Sequence, residues 1–163
     1  MTGLMKGKRG LIMGLANDKS LAWGIAKALH GAGAELAISY QGEVMLKRVK
    51  PLADELGCDL LIDCDVSDMA NLDQAFATLA ARWPTIDFVV HAIGYTNKEA
   101  LRGHYADIGL EDFLMTMNIS VYSFTAVARR AAAMMPPKDP ETGEGGGAML
   151  TLSYYGAEKV IPH

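Results

Sequence analysis

The chain has little of what marks secreted, membrane-spanning or nucleic-acid-binding proteins. Two cysteines, Cys58 and Cys64, in 163 residues are too few for a disulfide-dense secreted fold, so we expect a reducing, cytoplasmic setting. The net charge of −4 provides no basic field for nucleic acid or an anionic membrane. The apolar run near the N-terminus is too short for a signal peptide or a membrane span. The four histidines are scattered, so no metal site is expected.

What the chain does have is a regular alternation of short apolar runs and longer helical patterns. Half of its residues are hydrophobic and 21% are charged, as in soluble globular proteins, and its length suits a single domain over residues 1–163. Strands are predicted at 9–15, 34–40, 58–64, 86–93 and 147–153, and helices at 20–30, 43–56, 68–83 and 110–135. Right-handed β-α-β units then predict an α/β fold, a Rossmann-like, doubly wound parallel sheet with strand order 3-2-1-4-5.

Two of the predicted helices carry apolar faces. In the first, the residues that share a face at helical spacing are Leu21, Gly24, Ile25, Ala28 and Leu29. In the long fourth helix, the stripe predicted to face the sheet is Leu114, Met117, Val121 and Thr125. Asn118 falls on that stripe, and it is expected either to satisfy backbone groups or to position a water molecule.

The unusual residues gather after the strands, where ligands bind in doubly wound sheets. Gly14 can let a phosphate approach the backbone, and the helix beginning near Ser20 and Leu21 offers N–H groups to a pyrophosphate. The spacing is not G-x-G-x-x-G, and the alternative is that Gly14 forms a turn and Ser20 caps the helix. Gln41, after the second strand, can hydrogen-bond a ribose or adenine, or it is a plain turn residue.

The third and fourth strands are followed by further candidates. Asp65 can accept a hydrogen bond from an adenine amino group, with Val66 beside the ring, although capping of the next helix by Asp65, Ser67 or Asp68 would also explain this stretch. Gly94 permits close approach of a ribose or nicotinamide to the backbone. His91, inside the fourth strand, is expected to be a hydrogen-bonded core residue.

Six motifs run through nearly the whole chain in one order: MGLANDKSLAWGIAKAL, AISYQ, CDV, HAIGY, NISVYSF and LTLSYYGAEKVIP. Together they resemble the enoyl-acyl-carrier-protein reductases of bacterial fatty-acid synthesis, a divergent branch of the short-chain dehydrogenases/reductases. The resemblance implies that NADH, less often NADPH, reduces the trans-2 double bond of an enoyl thioester carried on acyl carrier protein. It also implies a cytoplasmic homotetramer.

Site residues follow from the matching motifs. The cofactor contacts that the resemblance implies are Gly14, Ser20, Leu21, Gln41, Asp65, Val66, Ile93 and Gly94. Thr96 falls beside the substrate, at a position where the family often has alanine. The family's S-Y-x-G-A-x-x-x-I-P-x-Y motif makes Tyr154 its first tyrosine, near the substrate and the catalytic candidate of this chain.

The pair Tyr155 and Lys159 has the four-residue spacing of a reductase acid and its helper, but it follows the last strand too closely for the usual loop and helix. We therefore predict that it is not catalytic. The family's second tyrosine would fall at position 164, so the chain is expected to be the N-terminal part of a reductase, without its last strands and inactive alone. The alternatives are a non-catalytic or truncated dinucleotide-binding module and a carbonyl-reducing short-chain dehydrogenase.

Overall fold

A computed structural model describes residues 3–143 and 145–159 of the chain. Within them, one parallel sheet has the strand order β3-β2-β1-β4-β5, which confirms the predicted Rossmann-like topology. The strands are β1 (Arg9–Met13), β2 (Glu35–Tyr40), β3 (Leu60–Asp63), β4 (Phe88–His91) and β5 (Ala148–Thr151). Four of them end before the apolar runs that predicted them, because the residues after these strands turn away to form the loops of the carboxyl edge, whereas β2 ends at Tyr40 as predicted.

Helices connect the strands on both faces of the sheet. The first three are α1 (Leu21–Gly31), α2 (Gly42–Glu55) and α3 (Met69–Arg82). The predicted fourth helix consists of three consecutive pieces, which are α4 (Leu110–Met117), a π-helical turn (Asn118–Tyr122) and α5 (Ser123–Met134). Short 3₁₀ segments lie at Glu99–Leu101, Tyr105–Asp107 and Tyr155–Ala157. No helix in the described part of the chain is long and apolar enough to cross a membrane.

The central strand β1 fills the core on both sides of the sheet. Leu11 and Met13 pack on the side of α3 and α5, and Ile12 packs on the side of α1 and α2. Side chains alternate between the two faces of a strand, so one apolar run supplies both layers. Burying each large apolar side chain stabilises the fold by roughly 1.5–3 kcal/mol, which makes β1 the strand that binds the two layers together.

The face of α1 that packs on the sheet matches the apolar face read from the sequence only in part, because Ile25 and Leu29 are half-buried against the core while the other three residues are exposed. Its buried residues are Ala22, Trp23 and Ala26, whereas Leu21 is 72% exposed. The helix mixes alanine and glycine on every side, so the large Trp23 ring decides which face is buried. The Lys27 ammonium lies 5.2 Å from the centre of that ring.

The stripe predicted to face the sheet in the fourth crossover is wrong. Leu114, Met117, Val121 and Thr125 are all exposed, and the buried residues of α5 are instead Ser123, Ala126, Val127, Ala131 and Met134. A π-helical turn contains one residue more than an α-helical turn, so it rotates the helix that follows by about 100°. The turn therefore changes which residues of α5 face the sheet, whereas Leu114 and Met117 are exposed because α4 has no buried residue.

Candidate functional site

A cavity of about 540 Å³ opens at the carboxyl edge of the sheet. It is bordered by the loops after four strands and by the π-helical turn. Its lining residues are Gly14, Leu15, Ala16, Ser39, Tyr40, Gln41, Met45, Cys64, Asp65, Val66, Ala92, Ile93, Gly94, Tyr95 and Ile119. Six of the eight cofactor residues implied by the motifs are therefore brought together here, namely Gly14, Gln41, Asp65, Val66, Ile93 and Gly94. Ser20 and Leu21 are absent from that lining.

Gly14 is required by the neighbouring strand. Its φ is +91°, and a Cβ atom built on it would lie 2.1 Å from the carbonyl oxygen of Ala92, just beyond β4. Side chains rarely adopt that backbone conformation, and a backbone oxygen cannot withdraw as a flexible side chain can. The glycine is therefore explained by the close contact between β1 and β4, whether or not a phosphate also approaches it.

Ser20 closes the loop between β1 and α1. Its hydroxyl oxygen accepts hydrogen bonds from the N–H groups of Ala16, at 3.1 Å, and Asn17, at 3.0 Å. Ser20 occupies the N-cap position of α1, as the alternative interpretation predicted, but its side chain makes no capping bond to the first turn. The side chain braces the loop before α1, and an anion could meet Ser20 and Leu21 only through their backbone N–H groups.

Asp65 is held by its neighbours at the end of β3. The amide of Gln41 donates to one carboxylate oxygen at 2.8 Å, and the Ser67 N–H and hydroxyl donate to the other at 2.8 and 2.6 Å. Burial alone would raise the pKa of Asp65, but the hydrogen bonds from Ser67 and Gln41 outweigh it and lower the pKa. Asp68 caps α3 by accepting from Ala70 and Asn71. Asp65 is thus an ionised acceptor at the cavity and does not cap the helix.

The loop after β4 is fixed by the π-helical turn. The Tyr95 N–H donates to the Ser120 hydroxyl oxygen at 3.0 Å, and that hydroxyl donates to the Tyr95 carbonyl at 3.1 Å. Gly94, one residue earlier, has open space around it, because a Cβ atom there would meet only the Ser120 oxygen, at 3.9 Å. The sequence analysis missed Ser120 and Tyr95, since no residue pattern distinguishes a π-helical turn from an α-helical one.

A second cavity of about 440 Å³ adjoins the first and shares Gly94 and Tyr95 with it. Its other lining residues are Thr96, Leu101, Thr116 and Ser120. The hydroxyl of Thr116 donates to the Asp112 carbonyl at 2.7 Å, so the Thr96 hydroxyl donates to Thr116, at 2.6 Å. Thr96, which the motifs place beside the substrate, therefore lines this second cavity, and its hydroxyl proton is already used in the hydrogen bond to Thr116.

His91 is fully buried and hydrogen-bonded, which confirms that it is a core residue. The Ser123 hydroxyl donates to the Ile119 carbonyl at 2.6 Å, so the His91 Nε2–H must be the donor to Ser123, at 2.8 Å. Thr151 of β5 lies 3.4 Å from Nδ1. Burial lowers the pKa of His91, so the ring is neutral at pH 7. This bond ties β4 to the first residue after the π-helical turn.

The segment after β5 stands apart from both cavities. Tyr154 is 70% exposed and is not among the lining residues of either cavity. Tyr155 begins a 3₁₀ turn that ends at Ala157, and the Lys159 N–H donates to the Tyr155 carbonyl at 3.2 Å. The described part of this segment is thus a 3₁₀ turn with one four-residue hydrogen bond after it, and that Tyr155 and Lys159 are not catalytic stays a prediction. The role of Tyr154 stays a prediction.

Asp65 is the one charged residue among the described residues that line the larger cavity. None of the described residues that line it is a lysine or arginine. Among the described residues there is also no group of three histidine, cysteine or acidic side chains that could hold a metal ion. An anionic ligand would therefore have to be bound by backbone N–H groups and by the N-terminus of a helix.

Comparison with known proteins identifies close relatives. The family model described as enoyl-(acyl carrier protein) reductase matches residues 14–163. The enoyl-[acyl-carrier-protein] reductase [NADH] 1 of Rhizobium meliloti is 55% identical over 162 residues, which are 99% of this chain and 57% of that relative.

Two solved structures share the fold. The reductase of Anaplasma phagocytophilum in complex with NAD has a TM-score of 0.91 and 51% identity, and the match covers 99% of this chain and 59% of that one. The Bacillus cereus reductase with NADP⁺ and indole naphthyridinone has a TM-score of 0.90 and 40% identity, covering 98% of this chain and 60% of that one. The chain therefore spans slightly less than three-fifths of the length of these relatives.

Proposed function

The chain belongs to the enoyl-(acyl carrier protein) reductase family, and on that premise we propose that the whole protein reduces the trans-2 double bond of an enoyl group on acyl carrier protein. NADH is the proposed hydride donor. The observation that carries the proposal is the cavity at the carboxyl edge, where Gly14, Gln41, Asp65 and Gly94 meet although each follows a different strand. Relatives named as enoyl-[acyl-carrier-protein] reductases align with 99–100% of the chain, at 52–55% identity.

The residues around the larger cavity fit a dinucleotide. Its volume of about 540 Å³ lies within the range of roughly 300–1,000 Å³ of ligand pockets. At one end Asp65 offers an ionised acceptor that suits an adenine amino or ribose hydroxyl group, beside the apolar Val66. At the other end Gly94 leaves its backbone uncovered, and Ile119 adds an apolar wall. Backbone N–H groups at the start of α1 suit a pyrophosphate.

The proposed reaction needs a hydride donor beside an acyl thioester. NADH, when bound, supplies a hydride to the β-carbon, and negative charge then develops on the thioester oxygen. Ser120 would position the donor's nicotinamide end by fixing the Tyr95 backbone next to Gly94. Thr96 borders the adjoining cavity, which suits the enoyl group because the two cavities share Gly94 and Tyr95. Tyr154 remains the proposed tyrosine near the substrate, on its motif alone.

The test is NADH oxidation by the whole protein with crotonyl-acyl carrier protein, with the 163-residue chain assayed beside it. We expect oxidation that depends on the enoyl thioester and none with the saturated butyryl thioester. Acetoacetyl-acyl carrier protein is the third substrate, because a carbonyl-reducing dehydrogenase would oxidise NADH with it. Binding of NADH by the whole protein without any oxidation would instead support a non-catalytic dinucleotide-binding module.

We also propose that the protein is a homo-oligomer, assembled through the exposed apolar face of the fourth crossover. The large apolar residues exposed on this face are Leu110, Leu114, Met117, Val121 and Tyr122. Four of them repeat at spacings of three or four residues, and a contiguous apolar face of this kind marks an interface. A second copy of the chain suits it, because identical faces meet about a twofold axis.

The buried, free Cys58 and Cys64 support a reducing, cytoplasmic compartment.

Sedimentation of the whole protein tests the interface. The variant Val121→Glu places a charge on the proposed face and should shift the protein towards smaller species. The matched control is Val44→Glu on α2, where the valine is equally apolar and 67% exposed. An unchanged oligomer in Val121→Glu, or equal dissociation of both variants, would contradict the proposed interface.

A further inference from the structure

The end of β2 lacks the residue that commonly selects NADH over NADPH. An acidic side chain there binds the ribose 2′-hydroxyl and repels a 2′-phosphate, but this chain has the neutral Gln41. The overall fold does not decide the question, since relatives of the same fold have been solved with NAD and with NADP⁺. The selection must come from charges close to the end of β2.

The neighbouring strand supplies such a charge. In the parallel register, Tyr40 at the end of β2 is paired with Asp63 at the end of β3. The carboxylate of Asp63 reaches across and accepts a hydrogen bond of 2.8 Å from the N–H of Gly42, the first residue of α2. Tyr40 lines the cavity, whereas the neighbouring Asp63 is exposed to solvent.

This contact engages a helix N-terminus, which is the kind of group that a 2′-phosphate would bind. The N-terminus of a helix attracts anions through its free N–H groups and its dipole, and α2 begins directly after the strand that meets the adenosine ribose in doubly wound folds. Here a carboxylate already holds the first N–H of α2, and Glu43 adds a second negative charge in the same turn. Burial first, and then these two carboxylates, raise the pKa of Tyr40, so their negative potential reaches the cavity wall.

The side chain of Gln41 cannot offset those charges. Its amide nitrogen already donates to Asp65, and no lysine or arginine is found among the described residues of the lining. We propose that Asp63, assisted by Glu43, makes the protein select NADH over NADPH by occupying the anion position at the start of α2. The inference rests on the proposed function, because it assigns the adenosine end of the cofactor to this end of the cavity.

The central variant is Asp63→Asn, which removes the charge while its amide oxygen can still accept from Gly42. We expect the dissociation constant for NADPH to fall by roughly tenfold, and that for NADH to change by less than about threefold. Adding Glu43→Gln to Asp63→Asn should lower the dissociation constant for NADPH further. The matched control is Asp59→Asn, which removes an exposed carboxylate from the other end of β3, where it pairs with Arg82. That control should leave both constants unchanged.

Binding is measured by nicotinamide fluorescence on the whole protein, and folding by circular dichroism. The wild-type preference for NADH should also shrink as salt is raised, because screening weakens the repulsion of the 2′-phosphate. The salt titration uses the wild-type protein, so it still tests the inference if Asp63→Asn does not fold. The inference is overturned if NADH binds normally while the preference depends neither on salt nor on Asp63. Failure of the folded wild type to bind either dinucleotide would instead refute the proposed function.

Discussion

Gly14 and Gly94 both line the larger cavity, but the structure gives them different physical reasons to be glycine. Replacing each with alanine separates a requirement of the sheet from a requirement of the ligand. At Gly14 the new methyl would meet the Ala92 carbonyl oxygen at 2.1 Å, at a φ of +91°. At Gly94 it would meet only the Ser120 oxygen, at 3.9 Å, which is ordinary contact.

The expected losses of stability follow from these contacts. An unfavourable backbone conformation costs about 1–3 kcal/mol, and overpacking against a backbone atom that cannot withdraw costs about 1–3 kcal/mol more. Gly14→Ala should therefore lower the free energy of unfolding by roughly 2–6 kcal/mol, which for a chain of this size is a fall in Tm of roughly 5–20 °C. Gly94→Ala should change stability by less than about 1 kcal/mol, because its φ and its surroundings accept a methyl group.

The effect on cofactor binding should be reversed. A methyl group at position 94 would stand in the open space shared by the two cavities, so NADH should bind Gly94→Ala more weakly by roughly 5- to 150-fold. Thermal unfolding followed by circular dichroism, at one protein concentration, and NADH titration followed by fluorescence measure the two quantities. A stable Gly14→Ala protein would refute the clash with β4. Tight NADH binding by Gly94→Ala would refute the close approach at that backbone.

Three further predictions follow from the site. Burial lowers the pKa of His91 below 6.5, so the unfolded chain binds more protons than the folded chain as pH falls, and the stability of the fold should decrease below about pH 6.5. Denaturant unfolding of His91→Gln should show a smaller decrease over the same pH range. An identical pH dependence in the variant and the wild type would contradict this. Ser120→Ala loses two hydrogen bonds of about 1 kcal/mol each, and it should weaken NADH binding, whereas Thr78→Ala, which removes a hydroxyl bound to the Gln74 carbonyl on α3, should not. In steady-state assays of the whole protein, Tyr155→Phe should keep turnover within a few-fold of the wild type, because Tyr155 is predicted not to be the catalytic acid, whose loss lowers the rate by roughly 10²–10⁴-fold. Tyr154→Phe should lower turnover more. The reverse order would show that the motif register is wrong.

The order of the strands could be predicted because their signal is local. The runs that became β1 and β4 are apolar on both faces of the sheet, so each reads as a buried strand without knowledge of its partners. The alternation with helices then leaves few right-handed topologies. The carboxyl edge follows from that order, which is why residues as distant in sequence as Gly14 and Gly94 could be assigned to one cavity from the sequence.

The side-chain contacts of the site could not be predicted in the same way, because they depend on register between elements. The hydrogen bond from Gly42 to Asp63 needs the pairing of β2 with β3 to be known to the residue. The sequence left the cap of α3 open among Asp65, Ser67 and Asp68, and only the three-dimensional contacts show that Asp68 is the cap. Polar residues at strand ends are thus recognisable from sequence as a group, but their partners are not.

The π-helical turn explains both the largest error and the most useful new contact. A continuous α-helix from α4 into α5 would keep one apolar stripe towards the sheet, and the stripe of Leu114 and Val121 was predicted on that basis. The extra residue rotates α5 so that Ser123 faces His91, while Ser120 faces the backbone of Tyr95. Leu114, in α4, and Val121, in the turn itself, lie on the exposed side of the crossover. One local change in helical pitch therefore supports the loop beside Gly94 on one side of the helix and the proposed oligomer face on the other, so a variant that restored regular α-helix here should disturb both together.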